Sequence, residues 1–166
     1  IIPTVLNAPN VTSVTSSMQG ITITFSPSAN SAFYEIYRKQ DNGSPVKIGT
    51  AATTSFVDEK PVGGKSLTYT VKAISGDTSK YSSSSQGTAK TITLPNAPKK
   101  IKVKASSEGI KITIKPGKGT KKYVLQRSLK KNASYKTVKK LSGKKTVTYL
   151  EKKKKKGKKY YYRVAA

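Results

Sequence analysis

The sequence predicts an all-β protein built as two consecutive β-sandwiches. Three observations carry that expectation: an internal repeat of about ninety residues, a period-two alternation of apolar and polar side chains, and turn residues at even intervals. At an offset of 89, Gly20-Ile-Thr-Ile23 falls on Gly109-Ile-Lys-Ile112 and Tyr34-Glu-Ile-Tyr-Arg38 on Tyr123-Val-Leu-Gln-Arg127. After a slip of four residues, Phe56-Val-Asp58 meets Tyr149-Leu-Glu151 and Gly64-Lys-Ser-Leu-Thr-Tyr69 meets Gly157-Lys-Lys-Tyr-Tyr-Tyr162. Repeats of this length are modules, each with its own core.

In the first copy the reading places strands at 10–15, 20–26, 32–39, 45–49, 54–57, 66–74 and 86–94. The second of these turns Ile21, Ile23 and Phe25 one way and Thr22 and Thr24 the other; in the sixth, Leu67, Tyr69, Val71 and Ala73 form the inward row. Turn residues divide them: Ser26-Pro27-Ser28, then Asp41-Asn42-Gly43-Ser44-Pro45, then Pro61-Val62-Gly63-Gly64. Such residues supply the fixed or positive φ at which a strand reverses. The second copy gives strands at 99–105, 109–115, 121–128, 134–139, 146–150 and 159–166. Here the inward rows are Ile110, Ile112 and Ile114, then Tyr123 and Leu125, then Tyr160, Tyr162 and Val164. Pro116-Gly117-Lys118-Gly119 and Gly157 mark turns. Alternation over short runs is the pattern of half-buried antiparallel strands, and seven of them in the first copy and six in the second, without helices, make immunoglobulin-like sandwiches.

The runs Phe33-Tyr-Glu-Ile-Tyr-Arg38, Val46-Lys-Ile-Gly-Thr50, Ser55-Phe-Val-Asp58 and Gly64-Lys-Ser-Leu-Thr-Tyr-Thr-Val-Lys-Ala73 closely resemble a bacterial fibronectin type III module. The second copy, through Tyr123-Val-Leu-Gln-Arg127 and Gly157-Lys-Lys-Tyr-Tyr-Tyr-Arg-Val-Ala165, resembles the version found in secreted and wall-associated proteins of Gram-positive bacteria. The resemblance implies that Tyr69 and Tyr162 are structural tyrosine-corner residues of strand F, each hydroxyl bonding back to nearby backbone. Phe25 and Ile114 stand where the family usually has a tryptophan. Modules of this family serve as spacers, adhesins and enzyme appendages alike, so the resemblance speaks to fold more than to function.

The expected organisation is a segment at 1–6 that ends a preceding module or acts as a donor strand, a first module at 7–94, and a second at 95–166. The second is incomplete: Ala166 aligns with Ala73, so its strand G is missing and strand F has an open edge. Either the protein continues, or residues 1–6 of a neighbouring copy complete the sheet by strand addition, which would build a filament. The join Leu94-Pro-Asn-Ala-Pro98 is short and carries two prolines, and is expected to hold the modules in a semi-extended line.

Charge is unevenly placed. Residues 1–94 hold 8 basic and 5 acidic side chains, net +3; residues 95–166 hold 25 and 2, net +23, which together give the +26 of the chain. Such asymmetry calls for a polyanionic partner near the second module. Thirty of the 33 basic residues are lysine, a hydrated point charge poorly suited to bidentate reading.

Catalytic chemistry finds no foothold. There is no histidine and no cysteine, which removes the commonest general base, thiolate ligands and disulfides. The adjacent pair Asp58-Glu59 lies after a strand whose counterpart carries Glu151, and that recurrence points to a structural role. The serines Ser82-Ser-Ser-Ser85 have no base beside them and read as a loop. No catalytic, cofactor-binding or metal residues are therefore expected, nor any cofactor, and no apolar run reaches the length of a membrane span. Arg38 and Arg127 share one repeat position, with stems lying across the sheet toward water or a strand carboxylate.

The run Lys152, Lys153, Lys154, Lys155, Lys156, Lys158 and Lys159 falls in the E–F loop and reads either as solvated surface or as the candidate polyanion-binding site. Alternation sends Tyr160 and Tyr162 inward and Tyr161 outward, which disfavours base stacking and hence nucleic acid. The expectation is a non-catalytic spacer or adhesive stalk segment of an extracellular bacterial surface or cell-wall protein, its lysine-rich module contacting anionic cell-wall polymer or glycan. Two alternatives stay open. One is a carbohydrate-binding or enzyme-appended module presenting Tyr37, Tyr81 and Tyr161; the other is a filament subunit joined to neighbouring copies through residues 1–6.

Overall fold

The computed structural model describes residues 2–166, which divide into two compact units, one ending at Leu94 and the other spanning Pro95–Ala166. In the first lie β1 (Thr4–Val5), β2 (Val11–Ser17), β3 (Gly20–Phe25), β4 (Ser31–Gln40), β5 (Val46–Ala51), β6 (Ser55–Asp58), β7 (Ser66–Ser75), β8 (Tyr81–Ser82) and β9 (Lys90–Thr93). The second holds β10 (Lys100–Ser106), β11 (Gly109–Lys115), β12 (Lys122–Ser128), β13 (Lys136–Ser142), β14 (Val147–Lys152) and β15 (Tyr161–Ala165). No helix among the described residues is long and apolar enough to cross a membrane.

In the first unit a three-stranded sheet, β2-β3-β6, faces a four-stranded one, β5-β4-β7-β9, and all their pairings are antiparallel. Strand β7 shows the cause most plainly: half-buried and fully buried residues alternate along all ten positions, with Leu67, Tyr69, Val71 and Ala73 inside. They meet Ile21, Ile23 and Phe25 from the opposite sheet and Tyr34 and Ile36 from β4. Phe25, in the place of the expected tryptophan, packs edge-on to Tyr34 with ring centroids 4.9 Å apart. The Tyr34 hydroxyl in turn accepts a hydrogen bond from the Ser28 N–H (3.1 Å), which ties the turn after β3 to the core.

The second unit repeats the plan with β10-β11-β14 against β13-β12-β15. Its core is smaller: Ile112, Ile114, Tyr123 and Leu125 are fully buried, with Ile110, Val138, Leu141, Tyr149, Tyr162 and Val164 packed around them. The Tyr123 hydroxyl accepts from the Gly117 N–H (2.7 Å), as Tyr34 does in the first copy. Strand β15 pairs with β12 alone, and Ile101 and Val103 of β10, though on the core face, are 41% and 51% exposed.

Some elements differ from expectation. Thr4 and Val5 pair in parallel with Tyr81 and Ser82, and Leu6 is buried in the same core, so residues 4–6 dock on the first module. Burial of the Leu6 side chain gives this segment its reason to dock there; Ile1 lies outside the described residues. Two-residue strands such as β1 and β8 are too short to show a period. The serine tract is also ordered by bonding. Ser84 is buried and its hydroxyl accepts from the Ala73 N–H (2.9 Å), and Ser83 accepts from the Ser75 N–H (3.1 Å), so serine hydroxyls join the main-chain bonds from Ser84 and Gly87 in partnering β7. Strand β9 starts later than predicted because residues before it close against the start of β2. The Val11 N–H donates to the Thr88 carbonyl, and Gly87 lies too close to the Pro9 carbonyl to carry a side chain.

Candidate polyanion-binding surface

The E–F loop of the second module is anchored from below by Glu151. This residue ends the inward row of β14 and is buried, and it accepts from the Tyr162 hydroxyl (2.6 Å), from Arg127 and from Lys154 (2.9 Å). Burial works against its ionisation, but the Tyr162 hydrogen bond together with Lys154 and Arg127 holds its carboxyl below the usual glutamate range. Tyr162 is pushed upward, first by burial and then by its bond to Glu151.

Asp58 plays the same part in the first module. Arg38 (2.7 Å) and the Tyr69 hydroxyl (2.8 Å) both reach its Oδ2, and the Lys60 N–H donates to Oδ1 (3.2 Å). The tyrosine-corner expectation is thus corrected at the atom level: Tyr69 and Tyr162 donate to carboxylates, not to backbone carbonyls. The physical reason is that β6 and β14 end in an inward acid that meets the tyrosine of β7 or β15 across the sandwich, and a charged acceptor outcompetes a neutral one. Each repeat therefore joins one arginine and one tyrosine on a single inward carboxylate, with Lys154 as a second cation in the second module.

Above Glu151 the seven lysines divide. Lys154 folds back, its ammonium 5.6 Å from the centroid of the Tyr160 ring, while the Lys155 N–H donates to the Tyr160 hydroxyl (3.1 Å). Lys152, Lys153, Lys155, Lys156, Lys158 and Lys159 are exposed. Lys153 (φ 56°) and Gly157 (φ 73°) both take the left-handed conformation, which lets the loop reverse in a short span. Tyr160 is not in the core as the alternation suggested: β15 starts only at Tyr161, and Tyr160 lies beneath Lys154 and Arg127, whose guanidinium carbon is 5.7 Å from its centroid. Tyr162 and Val164 do pack inward.

A groove of about 310 Å³ runs between this loop and the β10–β11 turn, lined by Lys153, Lys155, Lys156 and Lys158 on one wall and Ser106, Ser107 and Glu108 on the other. Glu108 is the one exposed carboxylate of the second module, and the only ion pairs there among the described residues are the two on Glu151. Arg163 donates to Gln126 (2.7 Å) and lies over the Tyr135 ring, 4.3 Å from its centroid, and the exposed lysines have no carboxylate partner among the described residues. Sequence reading overlooked the lysines of β10 and β11, although the alternating run Lys100-Ile-Lys-Val-Lys104 carries the signal.

The tyrosines considered as a glycan platform are spoken for or recessed. Tyr37 is half-buried and its hydroxyl donates to Glu35 (2.7 Å), Tyr81 packs on the first core, and Tyr161 is half-buried in β15. No group of histidine, cysteine or carboxylate side chains suited to a metal ion occurs among the described residues.

No protein-family model matches the chain, and no curated protein does. Solved structures do. A two-domain fibronectin type III segment of chicken tenascin is 17% identical, with 95% of this chain and 90% of that one covered and a TM-score of 0.43. The chicken interferon gamma receptor alpha chain is 15% identical over 95% and 88%, with a TM-score of 0.46. The FN1–FN3 domains of chicken CNTN1 are 19% identical over 95% and 62%, with a TM-score of 0.39. The strands described above make the chain an all-β protein of two tandem immunoglobulin-like sandwiches, and its solved neighbours include tandem fibronectin type III domains.

Proposed function

We propose that this chain is a non-catalytic spacer or adhesive stalk segment of an extracellular bacterial surface protein, and that its second module contacts anionic envelope polymers. One observation carries the reading: two copies of one fold, the first at net +3 and the second at net +23. A fold alone does not ask for this difference, since the first copy builds the same sandwich without it. Self-repulsion of that size destabilises a compact module, and a polyanion relieves it. The abundance of lysine over arginine suits a phosphate-bearing polymer met as a line of charge rather than as planar groups read two bonds at a time. The Arg–acid–Tyr units supply rigidity and leave the exposed lysines to make contact.

The test is retention of the purified chain on isolated Gram-positive walls, before and after removal of their phosphodiester polymers, across a salt series. The reading expects retention that disappears above about 0.3 M salt and from stripped walls. Retention on stripped walls at high salt, or none on intact walls at low salt, would refute it.

A further inference from the structure

We infer that the outer face of the β10–β11–β14 sheet, continuous with the E–F loop, is the track along which a linear, non-aromatic phosphodiester polymer lies. This deepens the polyanion reading above and rests on it. The argument starts from register. Lys104 stands directly opposite Lys111 and Lys100 opposite Lys115, while Lys102 faces Thr113. Pairing along β10 and β11 is free of bulges, so these residues share the face turned away from Ile112 and Ile114, and all five lysines are exposed. Like charges at directly opposed positions destabilise a sheet. Two such pairs on one hairpin ask for a compensating anion.

The first module serves as an internal control. At the offset of 89, Ser13, Thr15, Thr22 and Ser26 stand where Lys102, Lys104, Lys111 and Lys115 stand in the second. There Thr15 faces Thr22 and Ser13 faces Thr24, a neutral hydroxyl surface on the same sheet. The lysines are therefore not needed to build this face. Alternate residues on a strand are about 6.6 Å apart and neighbouring strands about 4.8 Å apart, which turns the five lysines into a two-column array of point charges. At one end of that array Lys152, paired with Gly109, leads into the lysine-walled groove. Thr113 and Thr148, hydrogen-bonded to each other at 3.2 Å, and Leu150 complete the outward face. The sheet face offers no aromatic ring for a base to stack on, and the one ring lining the groove, Tyr160, is engaged by Lys154 and Arg127; stacking is what single-stranded nucleic acid would look for.

The experiment measures binding of the full chain to poly(glycerol phosphate) between 50 and 400 mM NaCl, with a single-stranded oligonucleotide of equal charge as comparator. The sheet variant Lys102→Ser/Lys104→Thr/Lys111→Thr restores the residues of the first module; the loop variant is Lys153→Ser/Lys155→Ser/Lys156→Ser. The expected result is a salt slope lower by about 2 for the sheet variant and an affinity at 50 mM reduced at least tenfold, at roughly 0.7–0.9 in slope per lost contact. Lys102→Ser alone, which touches neither lysine pair, must lower the slope by about 1, and it decides the matter should the triple variant not fold. Wild-type binding by the sheet variant, with loss only in the loop variant, overturns this inference and leaves the function standing. No binding by the unaltered chain overturns both. Tighter binding of the oligonucleotide at equal salt overturns the choice of partner.

Discussion

The main-chain carbonyl of Asp58 occupies the space where a side chain on Gly20 would begin, and the carbonyl of Glu151 does the same at Gly109. Both glycines also hold backbone angles closed to other residues, φ 136° and 147°. The acid that anchors each module thus presses its backbone against the start of β3 or β11 while its side chain gathers arginine and tyrosine. We predict that Gly20→Ala or Gly109→Ala destabilises its own module by about 3 kcal/mol and leaves the other module's melting unchanged. Calorimetry of the two variants checks this; a loss below about 1 kcal/mol would mean the contact yields easily.

The unit of Arg38, Asp58 and Tyr69 predicts an ordering of losses. Asp58→Ala leaves a guanidinium and a buried hydroxyl without their acceptor and should cost about 3 kcal/mol, whereas Tyr69→Phe removes one hydrogen bond and should cost about 1–2 kcal/mol. Urea titration would show the difference as separate midpoints at unchanged slope. Equal losses would show that the arginine takes no part in holding the first module.

Acid should weaken the second module through Glu151. Its folded carboxyl releases its proton more readily than an unfolded glutamate, so it stabilises the fold above the unfolded value of about 4.3 and loses that contribution as pH falls through the lower folded value. The protection of β12 and β15 amides, taken relative to their intrinsic exchange at each pH, should therefore fall between about pH 5 and 3. Glu151→Gln should flatten that dependence while lowering stability throughout. An unaltered pH profile in the variant would place the acid sensitivity elsewhere.

Salt should act oppositely on the two modules. Raising NaCl from 20 to 500 mM screens the Lys100–Lys115 and Lys104–Lys111 pairs and should raise the second module's melting temperature by several degrees, because the Debye length falls from about 20 Å to about 4 Å. The first module, whose ion pairs join opposite charges such as Lys47 with Glu35 (2.6 Å), should stay level or fall slightly. Differential scanning calorimetry that resolves the two transitions measures this; parallel shifts would argue against repulsion on the sheet.

Much of the fold was legible in the residues. Alternation located β3, β7, β11 and β12 closely, since a half-buried strand has no other way to satisfy its two faces. The recurrence of Arg38 with Arg127, Asp58 with Glu151, and Tyr69 with Tyr162 was visible too. What could not be read was their convergence on one carboxylate, because those positions lie on three strands of two sheets. The lysine site was half legible. A run of like residues in a loop draws the eye, while an array spread over two strands at every second position does not.

By itself the sequence determined the period, the number of modules, the inward rows and the charge of each module, all of which follow from residue type and spacing. Only tertiary structure decided that Tyr160 lies under Lys154 instead of in the core, that Ser84 helps partner β7, and that Lys104 faces Lys111. Spacing along a chain fixes which way a side chain points. What it meets depends on strands brought together from far apart in the chain, and their register is chosen by the packing of the whole module.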